Sequence, residues 1–243
     1  MNASRSPAAS SPSRLLFWSL ASFLLLLAWD ASGLDLTLAR WFGSASGFAL
    51  ENHWFWRGVL HDDMRPLPWL LEGALLLGIA RPVGTLRRLP APRRAQLALT
   101  TLLALLVVSN IKLHSHSSCP WSLQEFGGVA SHVSHWAWGV RDGGDGGCFP
   151  AGHASAGFAF FGGFFAFRHA LPATARRWLL GSMLAGLLLG LAQQVRGAHY
   201  MSHTFWTAWF CWASAAGLDL GFTWLARPSS QKPTHVQAQA PGL

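Results

Sequence analysis

Six apolar runs, nearly free of charge, divide this chain of 243 residues and decide what it can become. They cover about Leu15 to Trp29, Pro66 to Ala80, Ala95 to Ile111, His153 to Phe167, Trp178 to Val195 and Thr204 to Trp224. A helix rises about 1.5 Å per residue, so roughly 20 apolar residues cross a hydrocarbon core of about 30 Å. No water is present there to satisfy backbone N–H and C=O groups, so such runs must be helical. Only 12% of the residues are charged, where a soluble domain carries roughly a quarter. The 14 tryptophans agree, since indole rings favour the membrane–water boundary. The sequence therefore predicts an all-α fold, a six-transmembrane helical bundle.

Charge between the runs sets the orientation. Arg81, Arg87, Arg88, Arg93 and Arg94 lie between the second and third runs, and Arg168, Arg176 and Arg177 between the fourth and fifth. Neither stretch holds an acid, which marks both as cytoplasmic. Nearly all acids fall in the alternate connections; Glu72 and Asp219 lie inside runs. Both termini are then cytoplasmic. Residues 1–14 and 227–243, rich in Ser, Ala, Pro or Gln, read as disordered ends of a membrane domain at 15–226. A signal peptide competes for the first run, because Arg14 precedes it and Ala31-Ser32-Gly33 follows. No clean A-x-A site appears, and the topology uses the span. Within the polar, aromatic connection Asp30 to Arg65, Leu50 to Leu60 reads equally as an interfacial helix or a wet loop. The net charge of +8 does not point to nucleic acid. The basic residues cluster between apolar runs, without the aromatic interleaving of single-strand binders. The compact, Arg- and Ala-rich layout suggests a bacterial inner membrane.

Three polar stretches meet at the outer ends of the runs. They are Asn110-Ile-Lys112-Leu-His114, Cys148-Phe-Pro-Ala-Gly-His153 and Arg196-Gly-Ala-His199-Tyr-Met-Ser-His203. Pro150 fits a helix start, which places His153 beside free N–H groups suited to an anion. Arg196, His199 and His203 have the spacing of one helix face. A single boundary cation often only snorkels. A cluster of ionisable groups from three runs is a functional candidate, and this one suits phosphoryl transfer. Lys and Arg neutralise the phosphate oxygens, one neutral His attacks phosphorus, and a second His protonates the leaving oxygen. The reading needs no cofactor and no metal, and no carboxylate cluster of the kind Mg²⁺ favours stands at this level.

These stretches resemble the type 2 phosphatidic acid phosphatase (PAP2) superfamily, whose pattern is K-x6-R-P, P-S-G-H and S-R-x5-H-x3-D. The first part reads Lys112 to Cys119-Pro120, with Cys in place of Arg. The second reads Pro150-Ala151-Gly152-His153, with Ala in place of Ser. The third reads Arg196, His199 and His203, with His in place of Asp. Gln193 occupies the usual Arg position, and Arg196 stands three residues on, about 60° around a helix of 100° per residue. The resemblance implies a membrane lipid phosphatase of the outer, periplasmic face. His199 would be the nucleophile that forms a phosphohistidine, His153 the general acid, and His203 the group that orients His199. Lys112, Arg196, Gly152 and Ala151 would bind phosphate. The implied partner is a phosphorylated membrane lipid, carrying a phosphomonoester or a pyrophosphate. A lipid phosphotransferase and a catalytically silent lipid-binding protein are the alternatives. A metal site at His114, His116, Cys119 and Cys148 is a further rival.

Cys119 and Cys148 share one outer connection, where an oxidising compartment permits a disulfide. Such a bond would close a loop of about 30 residues and tie the Lys112 segment to the His153 helix start. Free or metal-bound thiols remain the alternative, because sequence proximity does not set the Cα separation.

Overall fold

The computed structural model describes residues 12–137 and 139–225. Its helices are α1 (Pro12–Ala31), α2 (Leu34–Ala39), α3 (Leu67–Ala80), α4 (Ala91–Leu113), α5 (Gly152–Phe158), α6 (Gly162–Phe167), α7 (Pro172–Val195) and α8 (Met201–Leu225). A 3₁₀ turn at Ala159–Phe161 joins α5 to α6. Between α2 and α3 lie a short antiparallel pair, β1 (Gly43–Ser44) and β2 (Gly47–Phe48), and a π-helical segment at Trp54–Asp63. Of the stretch Leu50 to Leu60, residues 54–60 are helical. The helices begin where the sequence allows, with Pro in the first turn of α3, α4 and α7. The expected disordered ends lie outside the described residues, except that Pro12, Ser13 and Arg14 open α1.

All six expected runs are helical. Four stretches are long and apolar enough to cross a membrane: Ser13–Ala31, Trp54–Arg88, Ala91–Leu113 and Pro172–Val195. The protein is a membrane protein on that ground. The other two runs fall short of the same measure. α5 and α6 are pieces of 7 and 6 residues about a 3₁₀ turn. α8 is long, but its Trp, His, Ser and Thr dilute it. Outward-facing Leu24, Leu25, Leu70, Leu77, Leu180 and Leu184 on α1, α3 and α7 form the surface that hydrocarbon would cover.

α4, the α5–α6 pair, α7 and α8 make the centre, with α1 against α8 and α3 against α4. In lipid, burial of apolar surface between helices gains little, so close backbone approach matters more. α5 and α7 use it: a Cβ at Gly157 would overlap the main chain of Gly186. Phe158, Phe161 and Phe165 then fill the middle against Leu105 and Val108 of α4 and Cys211 of α8. Asp219 locks one end. It accepts hydrogen bonds from Arg93 Nη1 at 3.0 Å, Gln96 Nε2 at 2.9 Å and Arg168 Nη2 at 2.6 Å, joining α8 to α4 and to the end of α6.

The long connection from α4 to α5 closes the other end. Cys119 and Cys148 form a disulfide with Cα atoms 5.2 Å apart. Both sulfurs are therefore unavailable to the rival metal site. Asp142 gathers the same loop, accepting from the Ser118 N–H at 2.6 Å, the Ser118 hydroxyl at 2.8 Å and the Gly144 N–H at 3.0 Å. Burial opposes the Asp142 charge, but these donors hold its pKa below the usual carboxylate range.

Candidate active site

Three chain segments converge at the disulfide end. The last turn of α4 brings Lys112, where a cation complements the helix C-terminus. Its stem crosses the start of α5: Lys112 Cδ stands 3.5 Å from where a Cβ of residue 152 would lie. Lys112 makes no ion pair among the described residues. The first turn of α5 brings His153. Its Nε2 lies 3.2 Å from the His61 carbonyl oxygen, and the two rings stack with centroids 3.9 Å apart.

The α7–α8 link brings His199, and here the expected single helix face is corrected. α7 ends at Val195, α8 starts only at Met201, and Gly197 between them takes φ of 75°. A left-handed residue breaks the helix, and a Cβ at Gly197 would also strike the Phe48 ring. The link folds back on α7: Ala198 N–H and His199 N–H both approach the Gln193 carbonyl, at 2.9 and 3.4 Å. Trp121 N–H donates to the Gly197 carbonyl at 3.0 Å and ties the link to the disulfide loop. His199 is therefore a loop residue, and His203 alone of the three is helical.

Lys112, Gly152, His153 and His199 line one cavity of about 450 Å³. Its wall also holds His61 and Arg65, from the segment before α3. Deeper along each helix the wall turns apolar. Leu105 lies two turns below Lys112, Ala156 one turn below His153 and Leu189 one turn below Gln193. Burial, helped by Lys112, His203 and His153 nearby, pushes the His199 imidazole well below its usual value of 6.5, against the opposing main chain of Cys148. His199 is thus neutral at pH 7.

Three expected site residues stand off this wall. Ala151 is fully buried; its N–H donates to the His203 carbonyl at 3.3 Å and its carbonyl accepts from Thr207. Its main chain belongs to the α5–α8 contact and is not free for phosphate. Arg196 donates from Nε to the Glu51 carbonyl at 2.9 Å and from Nη1 to Gln193 Oε1 at 3.0 Å, with its guanidinium over Trp121. It sits one layer behind Gln193 and Trp121, which do line the cavity. His203 makes no hydrogen bond to His199. The ring centroids are 5.8 Å apart, and the Nδ1 atom of each ring is buried without a hydrogen-bond partner. Because the helix is broken between them, the four-residue spacing no longer stacks the two rings.

Sequence reasoning missed His61, Arg65 and the side chain of Gln193. Arg65 had one readable signal: it is followed by Pro66, an Arg-Pro pair at the start of an apolar run. It makes no ion pair among the described residues. The His61 contact depends on how the π-helical segment folds over α5, which no local pattern announces.

The arrangement presents a cation, a neutral buried imidazole and a second imidazole to one polar chamber above an apolar cleft. Comparison with curated proteins and with solved structures finds no match. The profile of the PAP2 superfamily matches residues 94–227, which include Lys112, His153, Gln193, Arg196, His199 and His203. Over half of the chain is covered, and the chain belongs to the PAP2 superfamily.

Proposed function

We propose that this protein hydrolyses a phosphomonoester or pyrophosphate of a membrane lipid at the outer, periplasmic face, through a phosphohistidine intermediate. Membership of the family points to a phosphatase-type activity. The observation that carries the finer reading is the single cavity lined by Lys112, His153 and His199 from three separate segments, polar above and apolar below. A phosphate head at the polar level would leave the lipid chain beside Leu105, Ala156 and Leu189.

In this reaction His199 attacks phosphorus, forming a P–N bond while the P–O bond to the lipid breaks. Lys112 balances the charge on the phosphoryl oxygens. His153 donates a proton to the leaving lipid oxygen, then takes one from the water that attacks the phosphohistidine. The P–N bond breaks, phosphate leaves, and both imidazoles return to their starting states. His203 packs edge-on against the His199 ring, with centroids 5.8 Å apart, and orients it by that contact. No metal takes part in any step.

The test is phosphate release from a panel of lipid monophosphates and diphosphates by purified protein, with a chelator present. The wild type should turn over at least one of them. His199→Ala and His153→Ala should each lose about 10²-fold or more, the low end of what general acid–base catalysis contributes. Release of a new phospholipid instead of free phosphate would identify a transferase. Inactivity on every substrate would favour a silent lipid-binding protein.

A further inference from the structure

Lys112 borders a second cavity besides the one that holds His199. It has a volume of about 550 Å³ and lies between the end of α4 and the loop 141–147, with Ser109, Lys112, His116, Arg141 and Asp145 in its wall. Ser109 and Lys112 line the active-site cavity as well, so the two spaces meet along the last turns of α4. Arg141 is the only Lys or Arg in residues 113–152. It is exposed and makes no ion pair among the described residues. The other acids of that connection are engaged elsewhere: Glu125 pairs with Arg40, and Asp142 accepts from Ser118 and Gly144. Asp145 is the one carboxylate in the wall. Two cations thus border one open space against a single acid, and the ligand that fits there is an anion. The loop is pinned in place. The N–H groups of Gly147 and Cys148 donate to the Ser115 and Ser117 carbonyls at 2.8 and 2.9 Å, and the Asp142 carbonyl accepts from the Ser131 N–H at 2.8 Å. With the Cys119–Cys148 disulfide, these bonds hold the Arg141 segment beside the end of α4.

We infer that this cavity is a second anion subsite, which takes the phosphate that stays on the lipid while the terminal one is cleaved at His199. The substrate class it selects is a lipid diphosphate. This inference rests on the phosphatase reading above and names its substrate class. His199 attacks the terminal phosphorus, the P–O bond to the bridging oxygen breaks, and that oxygen leaves on the lipid monophosphate. Arg141 and Lys112 balance the charge that gathers there. Ser109 lies one turn below Lys112, and Leu105 one turn below Ser109, so the attached chain descends along α4 into the apolar part of the active-site cavity.

Calorimetry of inorganic pyrophosphate and of orthophosphate with the full chain in detergent tests the subsite without requiring turnover. The unmutated protein should bind pyrophosphate more tightly than orthophosphate. Arg141→Gln should lower that affinity ratio about tenfold, the low end for a hydrogen bond to a charged group. Asp145→Asn should raise it about two- to fivefold, as removal of one exposed charge allows. The ratio of kcat/KM for a lipid diphosphate over the monophosphate of the same lipid should move in the same directions. Equal affinity for the two inorganic anions, or an unchanged ratio in Arg141→Gln, would overturn the inference and leave the phosphatase reading standing. Two orthophosphate ions per chain, one of them lost in Arg141→Gln, with no preference for the lipid diphosphate, would give the cavity to a separate anion and overturn the inference too. Failure of the unmutated protein to bind either anion would overturn the phosphatase reading as well, and shows itself before any variant is made.

Discussion

Asp219 offers the sharpest test of how the bundle is held. Its side chain is 2% exposed and receives Arg168, itself 9% exposed, and Arg93, which is 25% exposed. Asp219→Ala would strand the Arg168 guanidinium away from water with no anion beside it, leaving a hydrogen bond to His169 and the face of Phe165. Breaking a buried pair by removing one partner costs about 3–5 kcal/mol. Arg93 adds little to this, because it can turn toward solvent. For a chain of this size each kcal/mol shifts the midpoint by about 2–4 °C, so a drop of roughly 6–20 °C is expected. Thermal unfolding of the purified protein in detergent, followed by intrinsic Trp fluorescence, measures it. Removing both partners, as Asp219→Leu with Arg168→Met, should recover most of the loss, since the isolated buried charge is then gone. An unchanged midpoint in Asp219→Ala, or a double variant that is worse than the single, would refute the reasoning.

Reporter fusions at residues 90 and 140 should report opposite sides of the membrane, following the acid-free arginines on one side and the acids on the other; the same side for both would overturn the topology. Because the His199 value lies well below 6.5, its neutral form persists as pH falls through 6.5, and turnover should show no acid limb centred there; a His199 ring resonance that titrates near 6.5 in NMR of the purified protein would contradict the burial argument. Asp142 has its folded value lowered below 3.8, so the stability it contributes is full above 3.8 and is lost as pH falls through the lower folded value. Asp142→Asn should remove that acid sensitivity of the disulfide loop, seen as equal proteolysis of the loop above and below the transition.

The helices were legible because a membrane leaves few choices: charge-poor runs must pair their own backbone groups, and Pro marks their starts. The cluster of Lys112, His153 and His199 was legible for the same reason, since each sits at the end of a run. What the sequence hid was local geometry at one glycine. Spacing alone placed Arg196, His199 and His203 on a helix face, and the left-handed Gly197 removes that face. The consequence reaches the candidate site, because Arg196 then meets Gln193 and Glu51 rather than the cavity. The contribution of His61 and Arg65 was hidden differently. They come from a segment ahead of the matched residues 94–227, and only tertiary folding sets them in the cavity wall. The departures at Cys119 and Ala151 also look different in three dimensions. Cys119 is in a disulfide that fixes the loop, and the Ala151 main chain binds α8.

The central claim is that His199 carries the phosphoryl group during turnover. Rapid quench of the protein with a substrate labelled in the transferred phosphate tests it most directly. The account predicts label on the protein that survives alkali and is lost in acid, as a phosphoramidate bond requires, and none on His199→Ala. Label that persists on His199→Ala, or full turnover by that variant, would contradict it.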